Sequence, residues 1–263
     1  MLLLIDIGNT RIKWALLAPH RKLSAWQAGQ AGQAVHAGWL ASGVVAHAAL
    51  PTLADLWRDA QVTQAVIATV AASEVGAQVA DVMQQVCRLP ASALHWFKSS
   101  AAAAGVRNGY RSPTQLGCDR FASLIGARVL FPAQSLLVVT SGTATTIDAL
   151  NADGSFIGGL ILPGLGLMAS SLARHTAQLP QIGAVFSAPS LFADQTDAAI
   201  LSGCLTAQVG AIEHAMVRQP TARCILSGGA AGFITPLLSQ PHHLIDNLVL
   251  LGLQAVTVNF SAC

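Results

Sequence analysis

With 263 residues, 53% of them hydrophobic and only 10% charged, the chain has the length of one large domain or two ordinary ones, and enough apolar content to exclude a disordered protein. Its net charge of +2, from 14 Lys+Arg against 12 Asp+Glu, makes no electrostatic case for nucleic acid or an anionic membrane surface. The lysines are Lys13, Lys22 and Lys98, none in a GxxxxGK[ST] arrangement, so a P-loop is excluded; the five cysteines, Cys87, Cys118, Cys204, Cys224 and Cys263, lack CxxC or Cys/His ligand spacing and point to a reduced, cytoplasmic chain.

Leu2 to Ile5 read as a buried strand, Gly8-Asn9 as a tight hairpin turn and Arg11 to Leu17 as the partner strand. The opening apolar run ends at Asp6 with no basic segment before it, unlike a signal peptide. Arg21 to Gln27 supply a third strand, with a turn at Gly29 to Gly32. Pro51 to Gln61 predict a helix with Leu53, Leu56 and Trp57 on one face. Ala65 to Val70 form a short strand, Ser73 caps a helix running to about Cys87, and Leu94 to Phe97 form a strand. Three strands followed by alternating helices and strands suggest a mixed sheet covered by helices.

A polar loop, Asn108 to Pro113, leads to a helix over Leu116 to Leu130, and near Pro132 the pattern restarts. Leu136 to Val139 are strand, Ser141-Gly142-Thr143 a turn, Ala144 to Leu150 the return strand, Asp153-Gly154 the next turn and Phe156 to Leu162 a third strand. A constant offset pairs Leu2 with Leu136, Asp6 with Thr140, Gly8 with Gly142 and Ala15 with Ala149, so the second half repeats the first hairpin without a gap. Then come a helix over Leu165 to His175, a looser Pro180 to Pro189 connection, a long helix over Asp197 to Arg218, a strand over Ala222 to Leu226, a helix over Phe233 to Leu238 and a final helix or strand-helix piece over Leu248 to Phe260. No uninterrupted apolar run reaches the roughly 20 residues of a membrane span; Leu244 to Phe260 comes nearest.

Asp6 is the oddity of the first hairpin, because a carboxylate at the inner end of a buried strand is costly unless paired, hydrogen-bonded or bound to a cation. It reads either as a cap of the Gly8-Asn9 turn or as part of a phosphate site, in which N–H groups of Gly8 to Thr10 grip phosphate oxygens and Asp6 holds Mg²⁺ or its water. Asp119, at a helix start, reads either as a carboxylate stabilised by the helix dipole or as a general base for an alcohol. Arg120 beside it is a surface cation or a grip on an anion, and Tyr110 an amphipathic wall.

The motifs Asp6-Ile-Gly-Asn-Thr10, Asn108-x-Tyr110-x-x-Pro113-x-Gln-Leu-Gly117-x-Asp119-Arg120, Gly142-Thr-Ala-x-Thr146-x-Asp148, Gly158-Gly-x-Ile161-x-Pro163-Gly164 and Thr176-x-x-Leu179-Pro180, in this order, resemble the type III pantothenate kinases, the Bvg accessory factor family. The resemblance implies an α/β fold of the acetate/sugar kinase, Hsp70 and actin type: two duplicated RNase H-like domains with mixed five-stranded sheets and an ATP cleft between them. These are expected over residues 1–115 and 116–263, with the final helix free to pack back on the first domain. It implies a homodimer that transfers the ATP γ-phosphoryl group to the primary hydroxyl of pantothenate, with Mg²⁺ and a monovalent cation, K⁺ or NH₄⁺. Asp6, Ile7, Gly8, Asn9, Thr10, Arg11, Ile12, Lys13 and Thr143 would bind ATP, Asp6 in addition meeting Mg²⁺; Asp119 would accept the proton; Tyr110, Gly117, Cys118, Asp119, Arg120 and Thr176 would bind pantothenate. An ordinary aspartate pKa of about 4 would keep Asp119 ionised at neutral pH.

One position departs from the pattern: where the family places Asp at the monovalent-cation site, this chain has Thr140, a weaker, neutral ligand. That departure favours a second reading, a regulatory protein of the same fold with weakened catalysis. The run Pro163-Gly-Leu-Gly-Leu-Met-Ala169 matches a dinucleotide fingerprint but follows a third strand and has no acidic partner on a next strand. His242-His243 reads as part of a Pro-flanked surface loop, and no GxSxG elbow occurs.

Overall fold

The structure is a computed structural model and describes residues 1–18, 23, 38–175 and 190–257. It divides into two compact units, Met1–Ala133 with Gly154–Phe156 and Asn247–Cys263, and Gln134–Asp153 with Ile157–Asp246. The boundary expected between residues 115 and 116 falls inside the first unit.

In the first unit, β1 (Leu2–Ile7) and β2 (Arg11–Leu17) form the expected hairpin, Leu2 opposite Leu17 and Ile7 opposite Ile12. Its neighbour is β3 (Trp39–Ala46), antiparallel to β2. The strand expected over Arg21 to Gln27 and the turn over Gly29 to Gly32 lie outside the described residues, Leu23 excepted. After a 3-10 turn, His47–Thr52, comes the short helix α1 (Leu53–Trp57). Leu53 and Trp57 are buried, but Leu56 is half exposed: one and a half turns of helix turn only two side chains inward. Then follow β4 (Gln64–Thr69), α2 (Ser73–Val86), β5 (Leu94–Trp96), the small strands β6 (Ala102–Ala103) and β7 (Val106–Asn108), and α3 (Cys118–Leu130). Ser73 is the first helical residue rather than the cap; Ala72 holds the cap position without a side-chain bond.

The sheet order is β3-β2-β1-β4-β5, with β4 parallel to β1 and β5 parallel to β4. Period-two alternation splits its core. Leu3, Ile5, Ile7, Ile12 and Trp14 pack with Leu53, Trp57, Val79 and Met83 of α1 and α2. Leu2, Leu4, Ala15, Leu17 and Val66 pack on the other face with Ala122 of α3 and with Val249, Leu250 and Leu253 of the chain's last helix.

In the second unit, β8 (Leu136–Ser141), β9 (Ala144–Leu150) and β10 (Ser155–Pro163) restart the pattern, followed by α4 (Leu165–His175), α5 (Thr196–Arg218), β11 (Arg223–Ser227), α6 (Ala231–Ile234) and β12 (His242–Leu244). The first two residues of β10 belong to the first unit and pair with β7. The helix expected over Phe233 to Leu238 is α6 followed by a 3-10 turn, Thr235–Leu237, and the His242-His243 loop is a strand parallel to β11. The Pro180 to Pro189 connection lies outside the described residues. The last helix, α7 (Leu248–Thr257), belongs to the first unit.

The second sheet has seven strands rather than the expected five, in the order β12-β11-β8-β9-β10-β7-β6, and within it β10-β9-β8-β11-β12 repeats the order of the first sheet strand for strand. The expectation of a gapless repeat is corrected by the register. Leu2 pairs with Leu17 but Leu136 with Leu150, and Ile7 with Ile12 but Ser141 with Thr145, so the second turn is one residue shorter. Ile147 and Ala149 accordingly face the α4–α5 core as Trp14 and Leu16 face the α1–α2 core. Among the described residues α5, rather than the C-terminal run, has the length and apolarity of a membrane span, yet Ile200, Leu201, Cys204, Leu205 and Ile212 belong to the buried core of the second unit.

Candidate active site

The alternation that sends Leu3, Ile5 and Ile7 toward α1 and α2 puts Asp6 on the side of Leu2 and Leu4, where α3 begins. Asp6 pairs with Lys13 on β2 and Ala68 on β4. Burial raises its pKa from 3.8 to about 7; Lys13 pulls it down and the Asp119 carboxylate pushes it up. Asp6 and Asp119 therefore share one electrostatic neighbourhood, although they are far apart in sequence.

Asp119 occupies the first turn of α3 and accepts the Arg120 N–H at 2.8 Å. A Cβ at Gly117, the N-cap, would stand 2.6 Å from Asp119 Oδ1, so the missing side chain is the space the carboxylate fills. Burial raises the Asp119 pKa, against the lowering effect of the Arg120 N–H and guanidinium. The ordinary carboxylate value expected from sequence is thus corrected upward. The Cys118 thiol donates to the Thr69 carbonyl at 3.3 Å and is pushed up to about 11, by burial first and the Asp119 charge second. It stays protonated at neutral pH, a polar wall rather than a nucleophile.

Arg120 is only 7% exposed, and its Nη1 donates to the Tyr110 hydroxyl at 3.0 Å. The Tyr110 ring packs against Phe156 with centroids 5.4 Å apart. Asn108 fixes the loop between them: its amide donates to the carbonyls of Pro113 at 3.0 Å and Ser100 at 3.2 Å, and its Oδ1 accepts the Tyr110 N–H at 3.1 Å. Asn108 belongs to the motif of this loop, and its part in holding the loop shows only in these backbone hydrogen bonds.

In the first turn, the Gly8 N–H donates to the Arg11 carbonyl at 3.0 Å, with Asn9, Thr10 and Arg11 exposed and Ile7 and Ile12 fully buried. The two isoleucines therefore have only backbone atoms to offer a ligand. His47 contacts the Gly8 carbonyl at 2.8 Å, and nothing in its local sequence marked it. In the second unit the Gly142 N–H donates to the Ala144 carbonyl at 2.9 Å, and the Gly164 N–H at the mouth of α4 donates to the Thr143 carbonyl at 2.9 Å. Gly228, at φ +101°, lies flat on the Ser141 backbone, an approach that any Cβ would block. Thr140 faces Thr146, whose hydroxyl is buried without a partner. Asp148 is buried opposite Val138, away from the turn.

The first unit thus brings together Asp6, Gly117, Cys118 and Asp119, with the Tyr110–Arg120 pair on the same helix start, while Thr140 and Thr143 sit on the duplicate hairpin. Thr176 lies outside the described residues. Among the described residues no group of three or more His, Cys, Asp or Glu side chains is placed to hold a metal ion.

A type III pantothenate kinase from Janthinobacterium sp. (strain Marseille) is 49% identical over 267 residues, covering 99% of both chains. A Campylobacter jejuni protein assigned to the Baf family of transcriptional activators superposes with a TM-score of 0.59 at 14% identity, covering 99% of this chain and 100% of its own. A Sinorhizobium meliloti protein assigned as a 2-dehydro-3-deoxygalactonokinase does so with a TM-score of 0.56 at 17% identity, covering 99% of both. The fold is that of the acetate/sugar kinase, Hsp70 and actin class, with two RNase H-like units. The sequence profile of the type III pantothenate kinases matches residues 2–219, and the chain belongs to that family.

Proposed function

We propose that this chain phosphorylates the primary hydroxyl of pantothenate with ATP, giving 4'-phosphopantothenate and ADP, the first step of coenzyme A synthesis. The single observation carrying the reading beyond family membership is the raised Asp119 carboxylate at the start of α3, electrostatically coupled to Asp6 at the mouth of the first turn. The pantothenate hydroxyl oxygen attacks the γ-phosphorus, the bond to the β,γ-bridging oxygen breaks, and the hydroxyl proton passes to Asp119. A base lifted toward the working pH is better matched to an alcohol than an ordinary aspartate. Because the transition state is loose in most analyses, positioning and charge neutralisation carry most of the acceleration.

Arg120, oriented by Tyr110, grips the pantothenate carboxylate, to which its planar fork is suited. The backbone N–H groups of Asn9 and Thr10, with Lys13 beside Asp6, grip phosphate oxygens of the nucleotide. Mg²⁺ fits the first unit, since two desolvated carboxylates offer hard oxygen donors that a cation relieves. When bound it would neutralise β- and γ-phosphate charge, held mainly through the nucleotide with Asp6 behind it. The donor set at Thr140 does not fit a monovalent cation well: Thr140, paired across the strands with Thr146, offers a neutral hydroxyl where a carboxylate is called for.

We read the protein as a homodimer, on the support of Ile157 and Ile161, 50% and 65% exposed on one face of β10. The free state of the described cysteines, Cys87, Cys118, Cys204 and Cys224, supports a cytoplasmic location. A coupled assay for ADP release with and without pantothenate tests the reaction. ADP formation indifferent to pantothenate would sink it, while ATP or pantothenate binding without turnover would favour the regulatory alternative.

A further inference from the structure

Gly8 is clamped from both sides. Its N–H is used inside the hairpin, on the Arg11 carbonyl at 3.0 Å, and its carbonyl oxygen lies 2.8 Å from His47 Nε2. A carbonyl only accepts, so the proton of this bond is on Nε2. His47 directly follows Ala46, the residue of β3 that pairs with Arg11, and so enters the turn from the neighbouring strand.

The described peptide bonds are trans, and in a trans peptide the carbonyl and the following N–H point in opposite directions. Holding the Gly8 carbonyl on His47 therefore turns the Asn9 N–H to the opposite side of the peptide plane. Asn9 and Thr10 are exposed, so this N–H is not part of the core. Rotation of the Gly8–Asn9 peptide would reverse the polarity, presenting an oxygen in place of a donor, and asparagine is among the residues that tolerate the positive φ such a rotation needs at position 9.

We infer that His47 is a positioning residue of the nucleotide turn, whose Nε2–H fixes the Gly8–Asn9 peptide so that the turn offers the phosphates an N–H and not a carbonyl oxygen. The inference rests on the reading of the first hairpin as a phosphate-gripping element. It assigns His47 to ATP affinity alone, not to the chemical step or to pantothenate.

The test compares His47→Leu, which keeps bulk without a donor, with His47→Gln, whose amide can donate, and uses Thr10→Ala as a marker of the turn itself. Kinetics with ATP varied, and calorimetric ADP binding, are measured on the full chain. For His47→Leu the expected result is about a tenfold rise in KM for ATP and in Kd for ADP, the worth of one hydrogen bond, with kcat and KM for pantothenate within about twofold. His47→Gln should recover most of the affinity. Melting temperatures check that each variant folds, and His47→Ala replaces the leucine if the latter does not. An unchanged KM for ATP in His47→Leu, or equal losses in the leucine and glutamine variants, overturns the inference. If Thr10→Ala raises KM for ATP while His47→Leu does not, only the role of His47 falls; if neither changes it, the hairpin reading falls too.

Discussion

Arg120 touches Tyr110 twice: Nη1 donates to the phenol oxygen at 3.0 Å, and the guanidinium carbon stands 5.7 Å from the ring centre. Tyr110→Phe keeps the ring and removes the acceptor, leaving a largely buried guanidinium less well aimed. KM for pantothenate should rise about five- to tenfold, with kcat changed much less. Kinetics with pantothenate varied check this; an unaltered KM would remove Tyr110 from the orientation of Arg120.

Asp119→Asn keeps the shape and the bond to the Arg120 N–H but cannot take a proton. Turnover should fall about a hundredfold or more while ATP and pantothenate still bind. Single-turnover kinetics beside equilibrium binding separate the two effects, and near-normal turnover would remove the base assignment.

Asp6 couples function to stability. Its folded pKa of about 7 exceeds the ordinary 3.8, so in this window the native state holds a proton that the unfolded chain has released. The ionised carboxylate therefore costs nothing below about pH 4; the cost grows as pH rises toward 7 and levels off above it, reaching up to about 4 kcal/mol. Asp6→Asn should abolish most activity yet raise the melting temperature of the metal-free protein at pH 8 by about 5 °C or more, with a flatter dependence on pH. Retained activity would return Asp6 to a turn-capping role.

Thr140→Asp restores a carboxylate at the duplicate position. It should steepen the response of activity to K⁺, which in the parent chain should be shallow. Superimposable K⁺ titrations of the two proteins would show that Thr140 does not control cation dependence.

Sequence periodicity placed the elements whose ends are punctuated. β9 begins right after Gly142-Thr143 and α4 right after Gly164, and both were read at their observed ends. Asp119, Arg120 and Tyr110 were legible because charged and aromatic groups crowd a short loop before an apolar helix. Elements without punctuation or pattern were missed. β12 is three residues, two of them histidines, and is a strand only because β11 offers it a free edge. The first unit extends past 115 because α3 packs on its sheet through Ala122, beside the final helix that was expected there. His47 acts through one hydrogen bond to backbone and Asn108 through three, and neither leaves a periodic trace.

The turn that is one residue shorter in the second hairpin has a consequence for how two copies of one ancestral unit can diverge. A residue lost within a strand would swap every later side chain between core and far face, whereas one lost at the tip leaves both ladders in phase. The tips were thus the positions free to specialise. A role carried by arithmetic from one copy to the other holds up to the glycine and is off by one beyond it. The true counterpart of Lys13 is Thr146, so the duplicate lacks both halves of the charged Asp6–Lys13 pair, and the two hairpins have become unlike instruments on a shared frame.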